Sequence, residues 1–343
     1  MTEKEPSIIP GIEKPASPFF WGRLLQPAIY LAIIILLGVI PLFLDSPYVL
    51  HVLILVFIYI VATVSLRAIT ISGQYPLAHA AFMGIGAYVS AVISKNLGWS
   101  LWLTIPLGGV MAMIVGVFIG YPFARLRAFY YAMVSMFFGL GVYNLIIVLT
   151  DWTSGAGGLV GITHLLSSNS KVPYYYFILG FMVICLLALW RFENSRIGLN
   201  LKAIAQSHLV ASSVGINEVW YRVMALGVGC FFAGIAGAIY AHYNFTLSPT
   251  SFDLMAGLWL FIYALIGGLG NFNGPIIGTA LLILVQYLAN ALKAFVPFIS
   301  AAILIIVFYV MHDGLVGLPR IIMSLFSRNK PGGRRGTIEP AQS

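Results

Sequence analysis

Ten runs of mostly apolar residues alternate with polar connections along the chain: Pro27–Leu44, Val49–Leu66, Thr70–Ser94, Leu101–Phe123, Ala128–Thr150, Pro173–Trp190, Val223–Tyr243, Leu254–Leu269, Pro275–Leu292 and Pro297–Met311. A helix needs about 20 mostly apolar residues to cross roughly 30 Å of hydrocarbon. Backbone polar groups in lipid must be satisfied internally, which leaves only helices or closed barrels. Runs of this length lack the strict alternation of a barrel strand. The pattern therefore predicts an all-α fold, a polytopic transmembrane helical bundle of about ten spans. It divides the chain into an N-terminal tail (1–26), a membrane domain (27–318) with a long polar loop at 191–222, and a basic tail (319–343).

The composition agrees with this reading. Of 343 residues, 60% are hydrophobic and 8% charged, whereas a soluble domain carries about a quarter charged residues. The formal charge of +8 would suggest nucleic acid as a partner were it gathered on one face. Instead the cations punctuate the apolar runs, so no nucleic-acid partner is expected. With the N-terminus inside, fifteen cations fall on one side (Lys4, Lys14, Arg23, Arg67, Arg125, Arg127, Arg191, Arg196, Lys202, Arg222, Arg320, Arg328, Lys330, Arg334, Arg335). Three fall on the other (Lys95, Lys171, Lys293). This bias puts both termini on the cytoplasmic face. Met1–Gln26 has no early apolar stretch and four prolines, so no cleavable signal peptide is expected, and the first apolar run stays as an anchor.

Away from their ends, the predicted spans contain no Asp, Glu, Lys or Arg. Such residues cost about 2.5–3.5 kcal/mol at mid-membrane on insertion scales and are kept where ions or protons need them. No intramembrane acid is available for a proton-coupled carrier, and no GxxxxGK[ST] loop marks an ATPase. No nucleophile–base pair can be assembled, so the chain is not read as an enzyme. The loop at 191–222 offers another feature. Leu201, Ile204, Ala205, Leu209 and Val210 recur at helical spacing between Leu199 and Val214, and Gly215 follows as a terminator. This predicts one short amphipathic helix, suited equally to a groove on a partner or to lipid headgroups.

Glycines cluster at Gly84–Gly86, Gly116–Gly120, Gly234–Gly237 and Gly267–Gly278. Small residues let helices pack closely in lipid. Where Gly, Pro and polar residues coincide, at Ser72–His79 and at Gly270–Pro275, a broken helix can instead line a solute path. Gln74, His79, Asn144, Asn271 and Asn273 are the candidate path residues. His79 has no sequence neighbours with which to build a metal site, and no metal is expected. Asn144 and Gln286 lie within apolar runs and are placed to bond helices together.

The run Gly73-Gln74-Tyr75-Pro76-Leu77-Ala78-His79-Ala80-Ala81-Phe82-Met83-Gly84-Ile85-Gly86-Ala87-Tyr88 resembles the LivM-type permeases of branched-chain amino acid ABC importers. The resemblance continues through the Gly-rich loop after Asp151, Ser195–Gly198, Arg222–Ala241, Ser248–Phe252 and Gly267–Pro275, over roughly residues 60 to 290. Pro76 and Ala78 depart from the Ser and Gly usual in that family. The resemblance implies a permease subunit in a bacterial inner (plasma) membrane, multi-pass and surrounded by lipid. It implies a LivH-type sister permease, two cytoplasmic ABC ATPase subunits that bind ATP and magnesium, and an external solute-binding protein. No cofactor would be bound by this chain.

The small-molecule substrate implied is a branched-chain or related amino acid, with urea, short amides or an aromatic or carboxylic compound as alternatives in the same machinery. A secondary carrier working without ATPases is the alternative from another class. Within the inside loop, the resemblance makes Lys202, Ile204, Ala205, Gln206, Leu209, Val210, Ala211 and Gly215 the ATPase-coupling residues, although the acidic residues common in that family are missing.

Overall fold

The computed structural model describes residues 20–43, 46–126, 128–164, 166, 170–288, 301–302 and 305. Twelve α-helices occur among them: α1 (Phe20–Phe43), α2 (Pro47–Thr70), α3 (His79–Leu97), α4 (Leu101–Phe123), α5 (Ala128–Val148), α6 (Thr150–Thr153), α7 (Lys171–Glu193), α8 (Arg196–Gln206), α9 (His208–Ser213), α10 (Glu218–Asn244), α11 (Leu254–Gly267) and α12 (Asn273–Leu288). α1 belongs to a unit of its own. Six helices, namely α2, α3, α4, α5, α7 and α10, are long and apolar enough to cross a membrane, and Ala32–Phe43, α11 and the Asn273–Tyr287 part of α12 are shorter apolar helices. Most of the run Pro297–Met311, most of the two tails, and Lys293 lie outside the described residues.

α10 is the central element of the larger unit, packing on α2, α3 and α4. Glycine makes this approach possible. A Cβ on Gly237 would strike the Met83 carbonyl of α3, and one on Gly86 would strike the Gly234 backbone of α10. On α4, a Cβ on Gly108 would lie 2.6 Å from the Gly86 carbonyl oxygen. The glycine clusters in α3, α4 and α10 thus sit in unbroken helices and serve packing, as small residues do where there is no hydrophobic drive between helices in lipid. The same device joins α11 to α12, where Gly267, Gly274 and Gly278 pack backbone against backbone. Tyr263 Oη donates to Gln286 Oε1 (3.1 Å), a polar tie across that hairpin.

Two ends of the larger unit are distinct. One gathers the C-termini of α2, α4 and α7, the N-terminus of α10 and the α11–α12 turn: Arg67 meets Glu193 and the Leu269 carbonyl, and Arg222 donates to Ala124 O (3.1 Å). The other holds a two-residue antiparallel bridge, Leu159–Val160 with Thr246–Leu247, to which Lys95 adds a bond at Val160 O (2.8 Å). Next to it the Pro249–Phe252 3-10 turn drives Phe252 into the bundle against Gly84 and the rings of Tyr88 and Tyr240.

Three sequence expectations change. The apolar run from Thr70 is not one helix: α2 continues to Thr70, and α3 starts only at His79. Gly73 adopts φ +80 in the turn between them, and Pro76 lacks the N–H that a continuing helix would need. The loop expected at 191–222 narrows to 194–217, because α7 runs through Glu193 and α10 starts at Glu218. The amphipathic helix expected within it is broken. Ser207 is extended, and its side chain accepts from Val210 N to cap a second helix, α9.

If the α3–α10 seam sets the packing, Gly237→Val lowers the melting temperature of the detergent-purified chain sharply, in line with an overpacking cost of about 1–3 kcal/mol or more. Gly180→Ala, where an added Cβ meets nothing within 4 Å, leaves it unchanged. Equal melting temperatures for all three proteins refute the seam.

Candidate functional site

The segment from Ile71 to Ala78 is irregular backbone inside the bundle. Ser72, Gln74, Ala78 and His79 are buried, so the chain turns back inward after α2 rather than leaving it. The depth can be gauged from His79 Nε2, which lies 2.8 Å from Ser65 Oγ. Ser65 is five residues before the end of α2, about 7.5 Å along its axis at 1.5 Å per residue. Irregular backbone at membrane depth is tolerated where it is buried in protein or lines a cavity.

Three neighbours hold the segment. Leu77 N donates to Ser135 Oγ of α5 (3.1 Å). Gly257 lets α11 pass against the Leu77 carbonyl, and Tyr75 packs edge-on against Phe261 of the same helix. Among the described residues six buried side-chain atoms have no hydrogen-bond partner, and two of them, Gln74 Nε2 and His79 Nδ1, belong to this segment. The other candidate path residues lie elsewhere. Asn144 is exposed on α5 and donates to its own Leu140 O (2.8 Å). Asn271 is in the α11–α12 turn, and Asn273 begins α12.

A buried charge cluster lies beside this segment, on residues that the sequence pattern used only for topology. Arg67 and Glu193 form a two-pronged pair, Nη2–Oε1 2.7 Å and Nε–Oε2 3.0 Å. Lys202 Nζ of α8 adds a third member, 3.1 Å from Glu193 Oε1. Arg67 also donates through Nη1 to the Leu269 carbonyl and reaches Gly270 O at 3.5 Å. The helices extend three or four residues past the expected span ends, and this extension buries the pair. The only sequence signal was a lone Glu193 between Arg191 and Arg196.

The loop residues divide into two groups. Leu201 and Ile204 of α8 are buried against the bundle, and Gly198 lets the start of α8 touch the Glu193 backbone. A Cβ on Gly73 would lie 3.7 Å from Ala205, so α8 also abuts the turn that opens the buried segment. On α9 only Ala211 is buried, while Leu209 and Val210 are 70% and 64% exposed and Val214 just beyond is 71% exposed. Ala205, Gln206 and Gly215 are exposed as well.

At the opposite end an open cavity of about 970 Å³ is lined by residues that include His51, Thr163, Lys171, Tyr174, Tyr243 and Asn244. His51 Nδ1 and Tyr243 Oη are 2.6 Å apart across its wall. Among the described residues, no group of three or more His, Cys, Asp or Glu is placed to hold a metal ion.

Comparison with known proteins adds the family context. Residues 48–312 match the family described as "Branched-chain amino acid transport system / permease component". The chain is 23% identical to the high-affinity branched-chain amino acid transport system permease protein LivM of Escherichia coli K12, over 96% of this chain and 85% of that protein. It is 24% identical to LivM of Salmonella typhimurium, over 80% and 71%. It is also 24% identical to LivH of Salmonella typhimurium, the permease protein of the same description, over 73% and 88%. These relatives are transport permeases. No solved structure matches the chain significantly.

Removing one member of a buried pair leaves an uncompensated charge, at a cost of about 3–5 kcal/mol, while replacing both by apolar residues is often neutral. Glu193→Leu alone should therefore lower the melting temperature strongly, and Arg67→Met with Glu193→Leu should recover most of it. A double variant no more stable than the single one refutes the pairing.

Proposed function

We propose, from the premise that this chain belongs to the family of branched-chain amino acid transport system permease components, that it is one membrane-spanning subunit of an ATP-driven importer. Its solute is a branched-chain or related amino acid handed over by an external binding protein. A LivH-type sister completes the membrane part, and two cytoplasmic ATPase subunits bind ATP and magnesium. The chain sits in a bacterial inner membrane with about ten spans and both termini inside. The tail 1–26, the permease domain 27–318 and the tail 319–343 are its divisions. Support for the orientation comes from charge: Arg67, Arg125, Arg196, Lys202 and Arg222 lie toward the end where Arg67 meets Glu193, and Lys95 and Lys171 toward the other.

One observation carries the reading: the 194–217 loop has one half fastened to the bundle, while the other half presents unburied apolar side chains. A short helix with exposed Leu209 and Val210 suits a groove on a partner, where its apolar face is buried. Lys202, Ile204, Ala205, Gln206, Leu209, Val210, Ala211 and Gly215 form the coupling unit. Of these, Leu209 and Val210 meet the ATPase. Ile204 and Lys202 tie the unit to the permease, and Ala211 holds α9 to α8. Through Glu193, Lys202 connects to Arg67 and so to the α11–α12 turn. Ala205 connects to the Gly73 turn.

ATP binding and binding-protein docking then favour different states of one inward–outward equilibrium, and each acts only through its differential affinity for the two. The solute enters by the cavity at the Lys95 and Lys171 end and leaves past Asn271 and Asn273, with Gln74 and His79 between.

The test is reconstitution of the chain with its sister, ATPases and binding protein in vesicles. Leucine should accumulate only with ATP. Leu209→Glu with Val210→Glu should cut ATP-driven uptake at least tenfold while the chain still folds. Accumulation by the permease alone under a proton or sodium gradient, or full uptake by the double variant, overturns the proposal.

A further inference from the structure

Gln74 and His79 lie in the same buried segment, and each leaves one polar atom unpaired, Gln74 Nε2 and His79 Nδ1. They are 1% and 0% exposed. An unpaired buried polar group costs about 1–3 kcal/mol, so two in one short stretch call for an explanation. Their chemistry differs. Gln74 Nε2 is an amide nitrogen and can only donate.

The role of His79 Nδ1 follows from its neighbours. Ser65 has one hydroxyl hydrogen, and it donates to Ala62 O (2.7 Å). The contact between Ser65 Oγ and His79 Nε2 at 2.8 Å then needs the proton on Nε2. A neutral imidazole with Nε2–H has a bare lone pair on Nδ1. His79 Nδ1 is therefore an acceptor. An unmatched donor and an unmatched acceptor thus lie five positions apart in the same buried segment.

The backbone adds to the donor side. α3 starts at His79 without a side-chain cap. Ala81 N and Phe82 N both turn to Ala78 O. Among the described residues the N–H groups of His79 and Ala80 find no such acceptor, as expected for the first turn of a helix. A helix N-terminus carries partial positive charge, and it attracts carboxylates when nothing else satisfies it. The imidazole Nδ1 is bonded to Cγ, close to its own main chain, so it stands at this same helix start.

We propose that Gln74, His79 and the first turn of α3 form a recognition site for the zwitterionic end of an α-amino acid within the membrane domain. Gln74 Nε2 and the α3 N–H groups receive the carboxylate, and His79 Nδ1 receives the ammonium. The inference rests on the amino-acid importer reading and deepens it, since it assigns the solute's shared backbone groups to these residues. A simple carboxylate presents only the acceptor half of this pattern, and urea presents a carbonyl and N–H groups but neither charge. α8 abuts the Gly73 turn that opens the segment, so a shift of the coupling loop has a direct route to the site.

The experiment uses the purified full-length chain in nanodiscs, with three probes followed by saturation-transfer NMR: leucine, 4-methylpentanoate (carboxylate only) and 3-methylbutylamine (ammonium only). The wild-type chain should bind leucine at least tenfold more tightly than either half-ligand. Gln74→Met should weaken leucine and 4-methylpentanoate about tenfold and leave the amine unchanged. His79→Gln keeps a nitrogen for Ser65 but removes the Nδ1 acceptor. It should weaken leucine and the amine and leave 4-methylpentanoate unchanged.

Equal effects on all three probes, accompanied by a fall in melting temperature, mean that the two atoms serve structure alone and overturn the site. No effect of either variant overturns it too. If the wild-type chain binds none of the probes while the complete importer concentrates leucine with ATP, the site fails and the transport reading stands. If the importer concentrates no leucine, the transport reading fails first.

Discussion

The paired charges of Arg67 and Glu193 are the contact on which their end of the bundle depends. Four elements meet there: the last turn of α2, the last turn of α7, the first loop helix through Lys202, and the α11–α12 turn through two backbone carbonyls. Buried ion pairs are weak sources of stability, because desolvation offsets most of the Coulomb gain and apolar replacements often do as well. What the pair contributes is geometry. A planar guanidinium with five donors satisfies a carboxylate and reaches two carbonyls at once, which Lys could not do. Elements that would slide freely in an apolar contact are held in one register.

The same cluster revises the picture of a membrane domain without internal charge. The spans are free of charge at mid-depth, but their final turns are not. Both oxygens of Glu193 are engaged by cations, so it is placed as a structural anchor rather than as a step in a proton path. Gln74 and His79, by contrast, are among the described residues with a buried polar atom that lacks a partner. The interior thus separates a satisfied, rigid polar cluster from an unsatisfied one only a few residues of α2 away.

Much of this was legible in sequence. Apolar runs gave the helices because lipid permits little else. The motif around Gly73–Tyr88 pointed to the permease family from side-chain order alone. What remained hidden depended on packing. The pattern from Thr70 reads as one apolar helix, and only Gly73 and Pro76 hint that the backbone turns and re-enters. Leu201, Ile204, Leu209 and Val210 share one helical period, yet an extended Ser207 gives the first two to the bundle and leaves the last two outside. Glu193 looked like one more polar residue on a loop, since neither periodicity nor charge balance reveals a partner 126 positions away.

That extended Ser207 has a mechanical implication. With α8 clamped and α9 attached through one non-helical residue, the pair resembles a hinge pin beside a free paddle. On the importer reading proposed above, a partner seated on α9 would change its angle while the joint at Ser207 absorbs the tilt. Stiffening the joint would carry every tilt of α9 into α8 and, through Lys202, into the charge cluster.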